Sequence, residues 1–183
     1  MRHRERLKRM IELRLDGRLQ RRIDASDVLQ DAFLETSRRL EEYLRNPKVP
    51  LFIWMRFLTG QTLLRLHRHH LKAQARDLRR EIYLHHGAIP QATSETLAAQ
   101  LLGEGTSPSE AAIHAERKVR LQGALNSMNP LDRELVALRH FEQLSGTEAA
   151  QALGLREATA RQRYVRALKK LKEILESMPG GMA

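Results

Sequence analysis

Hydrophobic residues recur at the three- and four-residue spacing of an α-helix along most of this chain. The pattern predicts a first helix from Arg4 to about Leu19, a second one capped by Asp24, and a third from Leu51 to about Lys72. No segment alternates apolar and polar residues between turn signals, as a half-buried strand would. The sequence therefore predicts an all-α fold.

The second helix carries an apolar stripe that ends before Pro47 and Pro50. We expect the stripe to be buried through Leu29, Ala32, Phe33, Thr36, Leu40, Tyr43 and Leu44. The third helix begins apolar around Trp54 and ends basic, with Arg65 and Arg68 in its second half. Because the sequence neighbours of Trp54 are apolar, we expect its indole to pack in the core.

A helix-turn-helix is predicted near the carboxyl end of the chain. Ser145 and Glu148 have the spacing of a capping box, in which each side chain bonds to the backbone N–H of the other residue. Gly154 follows one short helix later, where a positive φ gives a sharp helix exit. Ala150 is small enough to let two helices cross closely, as the motif requires.

The last helix has one apolar side and one basic side, which is typical of a helix that reads DNA. Its apolar stripe consists of Ala160, Tyr164, Ala167, Leu168, Leu171, Ile174 and Leu175. The N-terminal turns of a recognition helix meet base edges in the major groove. We therefore predict that Thr159, Gln162 and Arg166 read bases and that Arg161 and Arg163 read bases or bind phosphates. Phosphate contacts or solvation are expected at Lys169, Lys170 and Lys172.

The formal net charge of +10 favours a polyanionic partner, because basic side chains release counterions from phosphates. The chain has no cysteine, which excludes disulfides and the thiolate zinc sites of zinc-finger proteins. No apolar run has the length of a membrane span, and the charged start lacks the apolar core of a signal peptide. We expect a cytoplasmic protein that does not enter a membrane.

The distribution of basic residues divides the chain into two parts. No Lys or Arg occurs between Gly87 and Glu116, although both are frequent elsewhere. We predict a first helical domain over residues 1–86, a flexible linker over 87–106 with a weak helix near Leu97 to Leu102, and a second domain over 107–183. The second domain starts with a helix capped by Ser107, Pro108 and Glu110, and Asn129 caps the next, which is predicted to run from Pro130 to Phe141.

Two stretches resemble the extracytoplasmic-function class of bacterial RNA polymerase sigma factors. Residues 24–34 read DASDVLQDAFL and are similar to the first-domain signature of that family. Residues 130–145 read PLDRELVALRHFEQLS and look like its approach to the promoter-reading helix-turn-helix. Residues 43–77 also resemble a subgroup found in planctomycete genomes.

The resemblance implies a subunit that docks on core RNA polymerase, recognises both elements of promoter DNA and helps to open the duplex. It places the polymerase contact at Asp27, Gln30 and Asp31 on the second helix. It also places the third helix against the upstream promoter element as that element melts, so DNA contacts are expected at Arg56, Arg65 and Arg68. An anti-sigma factor is a further candidate partner, and no cofactor or catalytic role is implied.

Three alternatives remain open at this stage. A simple helix-turn-helix repressor or activator usually dimerises so that two recognition helices face one side of the duplex, and no dimer seam is evident here. His67 and His70 could share a metal ion, with His69 and the pair His85 and His86 nearby in sequence, but the neighbouring basic side chains oppose cation binding. A nuclease would need acidic metal ligands or a nucleophile with a base, and no such constellation stands out.

Overall fold

The computed structural model describes residues 3–20, 22–70, 81–84, 87–103 and 111–177. Within these ranges the regular structure is almost entirely helical, which confirms the predicted all-α class. The elements are α1 (Arg4–Arg14), α2 (Ala25–Arg45), α3 (Leu51–His70), β1 (Glu81–Leu84), β2 (Gly87–Pro90), α4 (Ser94–Leu102), α5 (Ala111–Ser127), α6 (Pro130–Val136), a π-helical turn (Ala137–Phe141), α7 (Gly146–Leu153) and α8 (Glu157–Glu176). The predicted cap at Ser107, Pro108 and Glu110, and residues Lys72, His85 and His86, lie outside the described residues.

The first helices pack as expected, with two corrections on α2. Asp24 caps α2 by accepting a hydrogen bond from the Ser26 backbone N–H, as predicted. Leu29 and Ala32 are buried, but the expected burial of Leu40 and Leu44 is wrong, since they are 37% and 65% exposed. Tyr43, which lies between them in sequence, is the side chain that packs on α3, through Trp54, so Leu40 and Leu44 stay at the surface.

A short antiparallel hairpin of β1 and β2 follows α3, which the sequence pattern did not predict. Ile89 of β2 is fully buried and lies against Gly60 of α3. A Cβ atom built on Gly60 would lie 2.3 Å from Cγ2 of Ile89, so only glycine permits this close approach. The predicted linker is thus anchored on the first helices at its beginning.

The rest of the described linker also packs. The expected weak helix is present as α4, and Thr93 caps it by accepting from the Thr96 backbone N–H. Leu97 and Ala98 of α4 are fully buried in a second core, together with Leu121 and Leu125 of α5. The boundaries at 86 and 106 stay predictions, and residues 87–103 connect the two halves as packed structure.

The helix-turn-helix has the local geometry that its sequence predicts. Ser145 and Glu148 form the complete capping box at the start of α7. Gly154 ends α7 in the left-handed region with φ 64° and ψ 30°. Arg6 of α1 binds the Glu148 carboxylate at 2.7 Å, and its guanidinium stacks 3.8 Å above the Phe52 ring. The helix-turn-helix is therefore fixed to α1 and α3.

Four buried charges join the two halves of the chain. Arg14 of α1 donates to Glu134 of α6 and, at 2.8 Å, to Glu142 after the π-helical turn. Arg56 of α3 donates to Glu142 at 2.7 Å and 3.1 Å. The Pro90 carbonyl accepts a further bond from Arg14 at 2.7 Å. We call Arg14, Arg56, Glu134 and Glu142 the buried ion cluster.

The two signs of charge in the buried ion cluster stabilise each other. Burial alone would raise the pKa of Glu142, but attraction to Arg14 and Arg56 outweighs it and lowers the pKa from 4.5 to about 2. Burial alone would lower the pKa of Arg14, and the carboxylates of Glu134 and Glu142 reverse this and raise it. Arg14 and Glu142 are therefore both charged in the folded protein near neutral pH.

The protein should lose stability in acid through Glu142. Its pKa is lowered in the folded state, so its contribution is fully present above about pH 4.5 and disappears as the pH falls towards about 2. The measurement is the urea midpoint of the full chain as a function of pH. Glu142→Gln should flatten this dependence, and an equally steep curve for Glu142→Gln would assign the acid loss to other carboxylates.

The capping box should contribute measurably to stability. Ser145→Ala removes the side-chain acceptor for the Glu148 backbone N–H and should lower the free energy of unfolding by about 1 kcal/mol. Thr147→Ala is the matched control, because Thr147 is exposed on the same turn and should change stability by less than about 0.5 kcal/mol. Equal losses from both variants in urea titrations would contradict a specific role for the cap.

Candidate nucleic-acid interface

The solvent-facing side of α8 presents the predicted DNA-reading residues. Ala160, Ala167 and Leu171 are buried on the other side and fix the helix against α6 and α7. Thr159, Arg161 and Gln162 are exposed on its first two turns. Gly154 and the crossing of α7 with α8 leave these turns projecting from the protein surface, which is the arrangement that a major groove admits.

Arg163 and Arg166 of α8 are held by an acidic partner within the protein. The Asp132 carboxylate of α6 accepts from Arg163 at 2.8 Å and from Arg166 at 2.9 Å and 3.1 Å. Arg163 is half-buried, whereas the side chain of Arg166 remains 64% exposed. The two arginines thus lie on the flank of α8 that faces α6, beside the side chains that point outward.

A groove of about 980 Å³ borders the other flank of α8. Thr147 at the start of α7 lies on one wall, and Arg161, Gln162 and Val165 of α8 lie on the other. Arg139 supports the groove from below, because it donates to the Leu144 carbonyl and its guanidinium lies 5.4 Å from the centre of the Tyr164 ring. Sequence periodicity gave no indication of Arg139 or Thr147 here, since neither residue lies on α8.

The expected surface position of Arg56 on α3 is wrong. Arg56 is 2% exposed and belongs to the buried ion cluster, so it cannot reach a DNA phosphate in this arrangement. Sequence reasoning placed it outward because its partner Glu142 lies 86 residues away. Arg65 and Arg68 are exposed on α3, and Arg65 donates to the Thr62 hydroxyl at 3.1 Å.

An aromatic pocket lies between α2 and α3. The rings of Tyr43 and Trp54 stack with centres 4.5 Å apart, and the Tyr43 hydroxyl donates to the Val49 carbonyl at 2.8 Å. The two rings line a pocket of about 400 Å³ together with Glu42, Asn46, Lys48, Val49 and Phe57. Trp54 packs against the core with one side and lines this pocket, so the expected core role describes only part of its environment.

The acidic face of α2 is exposed as expected. Asp27, Gln30 and Asp31 all lie on the solvent side of the helix. Leu34, one turn after Gln30, is 57% exposed and adds an apolar surface to this face. No ion pair within the described parts of the chain engages Asp27 or Asp31.

The described residues contain no group of three or more histidine, aspartate or glutamate side chains that could hold a metal ion. His67 accepts a hydrogen bond from the Asp16 backbone N–H at 3.3 Å, and the rings of His69 and His70 meet edge to face. Among the described helices, none has the length and apolar character needed to cross a membrane.

Residues 118–171 match the family described as Sigma-70, region 4. The RNA polymerase sigma-E factor of Streptomyces avermitilis is 44% identical over 64 residues, which make up 35% of this chain and 35% of that protein. The protein of the same name from Streptomyces coelicolor is 36% identical over 81 residues, or 44% of this chain and 45% of that protein. The chain therefore aligns with less than half the length of these curated relatives.

Two solved structures share the fold over nearly the whole chain. CnrH, solved with the cytosolic domain of CnrY, has a TM-score of 0.52 at 20% identity and covers 97% of this chain and 85% of its own. The sigma factor RpoE of Bartonella quintana, solved with the anti-sigma factor NepR, has a TM-score of 0.50 at 18% identity. The match covers 97% of this chain and 94% of the RpoE chain. Residues 118–171 are thus similar to Sigma-70 region 4, within a chain that has the fold of a solved sigma factor.

Proposed function

We propose that this protein is a sigma factor of the extracytoplasmic-function type, which binds core RNA polymerase and directs it to promoter DNA. The observation that carries the proposal is the exposed, basic first half of α8 in the segment similar to Sigma-70 region 4. A cytoplasmic location follows from this role, because transcription takes place there. The amino-acid sequence of residues 43–77 supports membership of the planctomycete-like subgroup.

We assign promoter reading to α8. Thr159, Arg161 and Gln162 are the base-contact candidates, because they are exposed on the turns that enter a major groove first. Arg163 and Arg166 are assigned a flanking role, since Asp132 fixes both guanidinium groups against α6. The basic residues of the later turns, Lys169 and Lys170, are suited to phosphates.

We assign the opened strand to the surface formed by α2 and α3. The stacked pair of Tyr43 and Trp54 offers an aromatic wall for an unstacked base, and Lys48 and Glu42, which carry opposite charges, lie beside it. Arg65 and Arg68 supply positive charge further along α3. These groups favour a protein that melts DNA over a repressor, which needs only the helix-turn-helix.

We assign polymerase docking to α2. Asp27, Gln30, Asp31 and the exposed Leu34 combine acidic, amide and apolar groups on one face of a protein that is otherwise strongly basic. This face has no structural task within the described chain. An anti-sigma factor is a further candidate partner, because RpoE was solved with one.

Reversing the charge on this face should abolish polymerase binding. Gln30→Arg combined with Asp31→Arg adds three positive charges to an exposed surface, so helical content should be unchanged while co-elution with core polymerase is lost. The matched control, Glu116→Arg with Asn126→Arg, adds the same charge on exposed positions of α5 and should co-elute normally. Normal co-elution of the α2 variant would refute the docking assignment.

Substitution of a base-contacting residue and substitution of a phosphate-contacting residue of α8 should change DNA binding in different ways when the DNA sequence and the salt concentration are varied. Gln162→Ala should weaken the free energy of binding to the selected duplex by about 1–3 kcal/mol and relax the preference for one base pair. Lys170→Ala should weaken binding to all sequences alike and lower the salt slope by about one unit. The measurement uses duplexes selected from a randomised pool, with single-base variants at several salt concentrations. The same sequence-independent loss for both variants would contradict this division.

A further inference from the structure

We propose that a polar pocket at the start of α4 binds a small phosphate ester with an aliphatic, hydroxyl-bearing organic part, such as a sugar phosphate. The pocket has a volume of about 790 Å³, which is within the range of small-molecule sites. Its walls are the turn at residues 16–20, the first turn of α4 at residues 93–96, and the facing sides of α5 and α6. We call it the α4 pocket. The inference goes beyond the proposed function, since it concerns neither DNA nor polymerase.

The first turn of α4 supplies backbone donors to the α4 pocket. Thr93, Ser94, Glu95 and Thr96 all line it. Thr93 accepts from the Thr96 backbone N–H at 3.1 Å, whereas the backbone N–H groups of Ser94 and Glu95 have no acceptor among the described residues. The positive end of the helix dipole adds to the attraction of these donors. An anion at this turn would bind the two N–H groups, as phosphates do at other helix starts.

The side chain of Ser94 adds a third donor. Ser94 is 6% exposed, and its Oγ atom has no hydrogen-bond partner in the described parts of the chain. A buried hydroxyl without a partner is costly, so it indicates a position suited to an acceptor from outside the protein. Because Ser94 lines the α4 pocket on the same turn as the two N–H groups, a phosphate bound there has oxygen atoms for all three donors.

Arg133 of α6 brings a positive charge that pairs with no carboxylate of the described residues. It is half-buried, and it donates to two neutral acceptors, the Leu125 carbonyl at 3.0 Å and Oε1 of Gln91 at 3.3 Å. Burial lowers the pKa of Arg133, and the negative charge of Glu134 only partly offsets this. A phosphate in the α4 pocket would give this guanidinium the charge-assisted partner that the protein does not supply.

The other charges of the α4 pocket balance each other. Arg18 donates to both oxygens of Asp16, at 2.8 Å and 2.7 Å, and these bonds lower the pKa of Asp16 from 3.8 to about 2. Lys118 lies 3.6 Å from the exposed carboxylate of Glu95. The lining thus has three basic and two acidic side chains, and Arg133 accounts for the remaining positive charge. A pocket of this charge favours an anion over a cation.

The rest of the lining is suited to hydroxyl groups. It consists mainly of amide and hydroxyl side chains, namely Gln20, Gln91, Thr93, Thr96, Gln122 and Asn126. An amide offers both donors and an acceptor, which the hydroxyl groups of a sugar require. None of the described residues that line the α4 pocket is aromatic, so a flat base would lack a stacking surface. The organic part of the ligand is therefore aliphatic and polar.

The first experiment measures the binding of three probes to the full chain by isothermal titration calorimetry. Ribose-5-phosphate is the test probe, ribose lacks the phosphate, and AMP adds a base to the same sugar and phosphate. We expect saturable binding of ribose-5-phosphate, no binding of ribose and no tighter binding of AMP. Absence of saturable ribose-5-phosphate binding at millimolar concentrations would overturn the proposal, and clearly tighter binding of AMP would overturn the aliphatic class.

The second part removes the Ser94 hydroxyl. Ser94→Ala should weaken ribose-5-phosphate binding about tenfold. Its thermal unfolding midpoint without ligand should not fall, because the substitution deletes a buried hydroxyl that has no partner. Ser37→Ala, at an exposed position of α2, is the matched control and should bind as the wild-type chain does. A lower midpoint with unchanged binding would give Ser94 a structural role and contradict the site.

The third part blocks the α4 pocket. A Cβ atom on Gly17 meets no atom within 4 Å, and Gly17 lines the pocket, so Gly17→Phe places a ring there without a clash at Cβ. Gly123→Phe on α5 is the matched control, since its Cβ is equally unhindered and Gly123 is outside the lining. We expect normal helical content in both variants and loss of binding for Gly17→Phe only.

A charge-matched pair separates the α4 pocket from general attraction to a basic protein. Lys118→Gln and Arg120→Gln each remove one positive charge from α5, but only Lys118 lines the pocket. We expect weaker ribose-5-phosphate binding for Lys118→Gln alone. Equal affinities of Ser94→Ala, Gly17→Phe and the wild-type chain would place the probe elsewhere on the protein and refute the proposal. None of these measurements uses DNA or polymerase, so their failure is separate from a failure of the proposed function.

Discussion

The arrangement of the two halves depends on the guanidinium of Arg14. It lies in the middle of the molecule, where carboxylates from Glu134 and Glu142 and the carbonyl of Pro90 meet on one side chain. The helix that carries it contributes to both cores, through Ile11 to the first and Leu13 to the second. Helix α1 therefore sets where the linker and the helix-turn-helix can lie.

Such a centre determines which arrangement forms more than how stable it is. Transfer of two arginines and two glutamates out of water is costly, and apolar residues of the same size would often stabilise a protein as well or better. Each buried charge nevertheless needs a partner of opposite sign, so the two halves pack in the one arrangement that pairs these four side chains. The contact of Arg6 with Glu148 adds to this, because it fixes the first turn of α7 on α1.

Local features of this fold could be predicted from the sequence, and features that depend on distant partners could not. The cap at Ser145 and the glycine exit at Gly154 involve residues within a few positions of each other, so their spacing alone was informative. Burial of Arg56 depends on Glu142, and exposure of Leu44 depends on which side chains of α2 pack on the distant helix α3. Periodicity describes one helix at a time and contains neither fact.

The same limit applies to the candidate interface. The outward face of α8 followed from its apolar stripe, which correctly placed Thr159, Arg161 and Gln162 at the surface. The pairing of Arg163 and Arg166 with Asp132 requires α6 and α8 to lie side by side, which only the packed structure reveals. The stacking of Tyr43 on Trp54 is of this kind too, since two helices supply the rings.

The close contact of Gly60 with Ile89 also limits how far apart α3 and α4 can lie. It binds β2 to α3, while α4 packs mainly on α5 and so belongs to the other half. Only residues 91–93 lie between these two anchored elements. Three extended residues span about 10 Å. As long as β2 stays on α3 and α4 stays on α5, these three residues keep the end of β2 and the start of α4 within about 10 Å of each other.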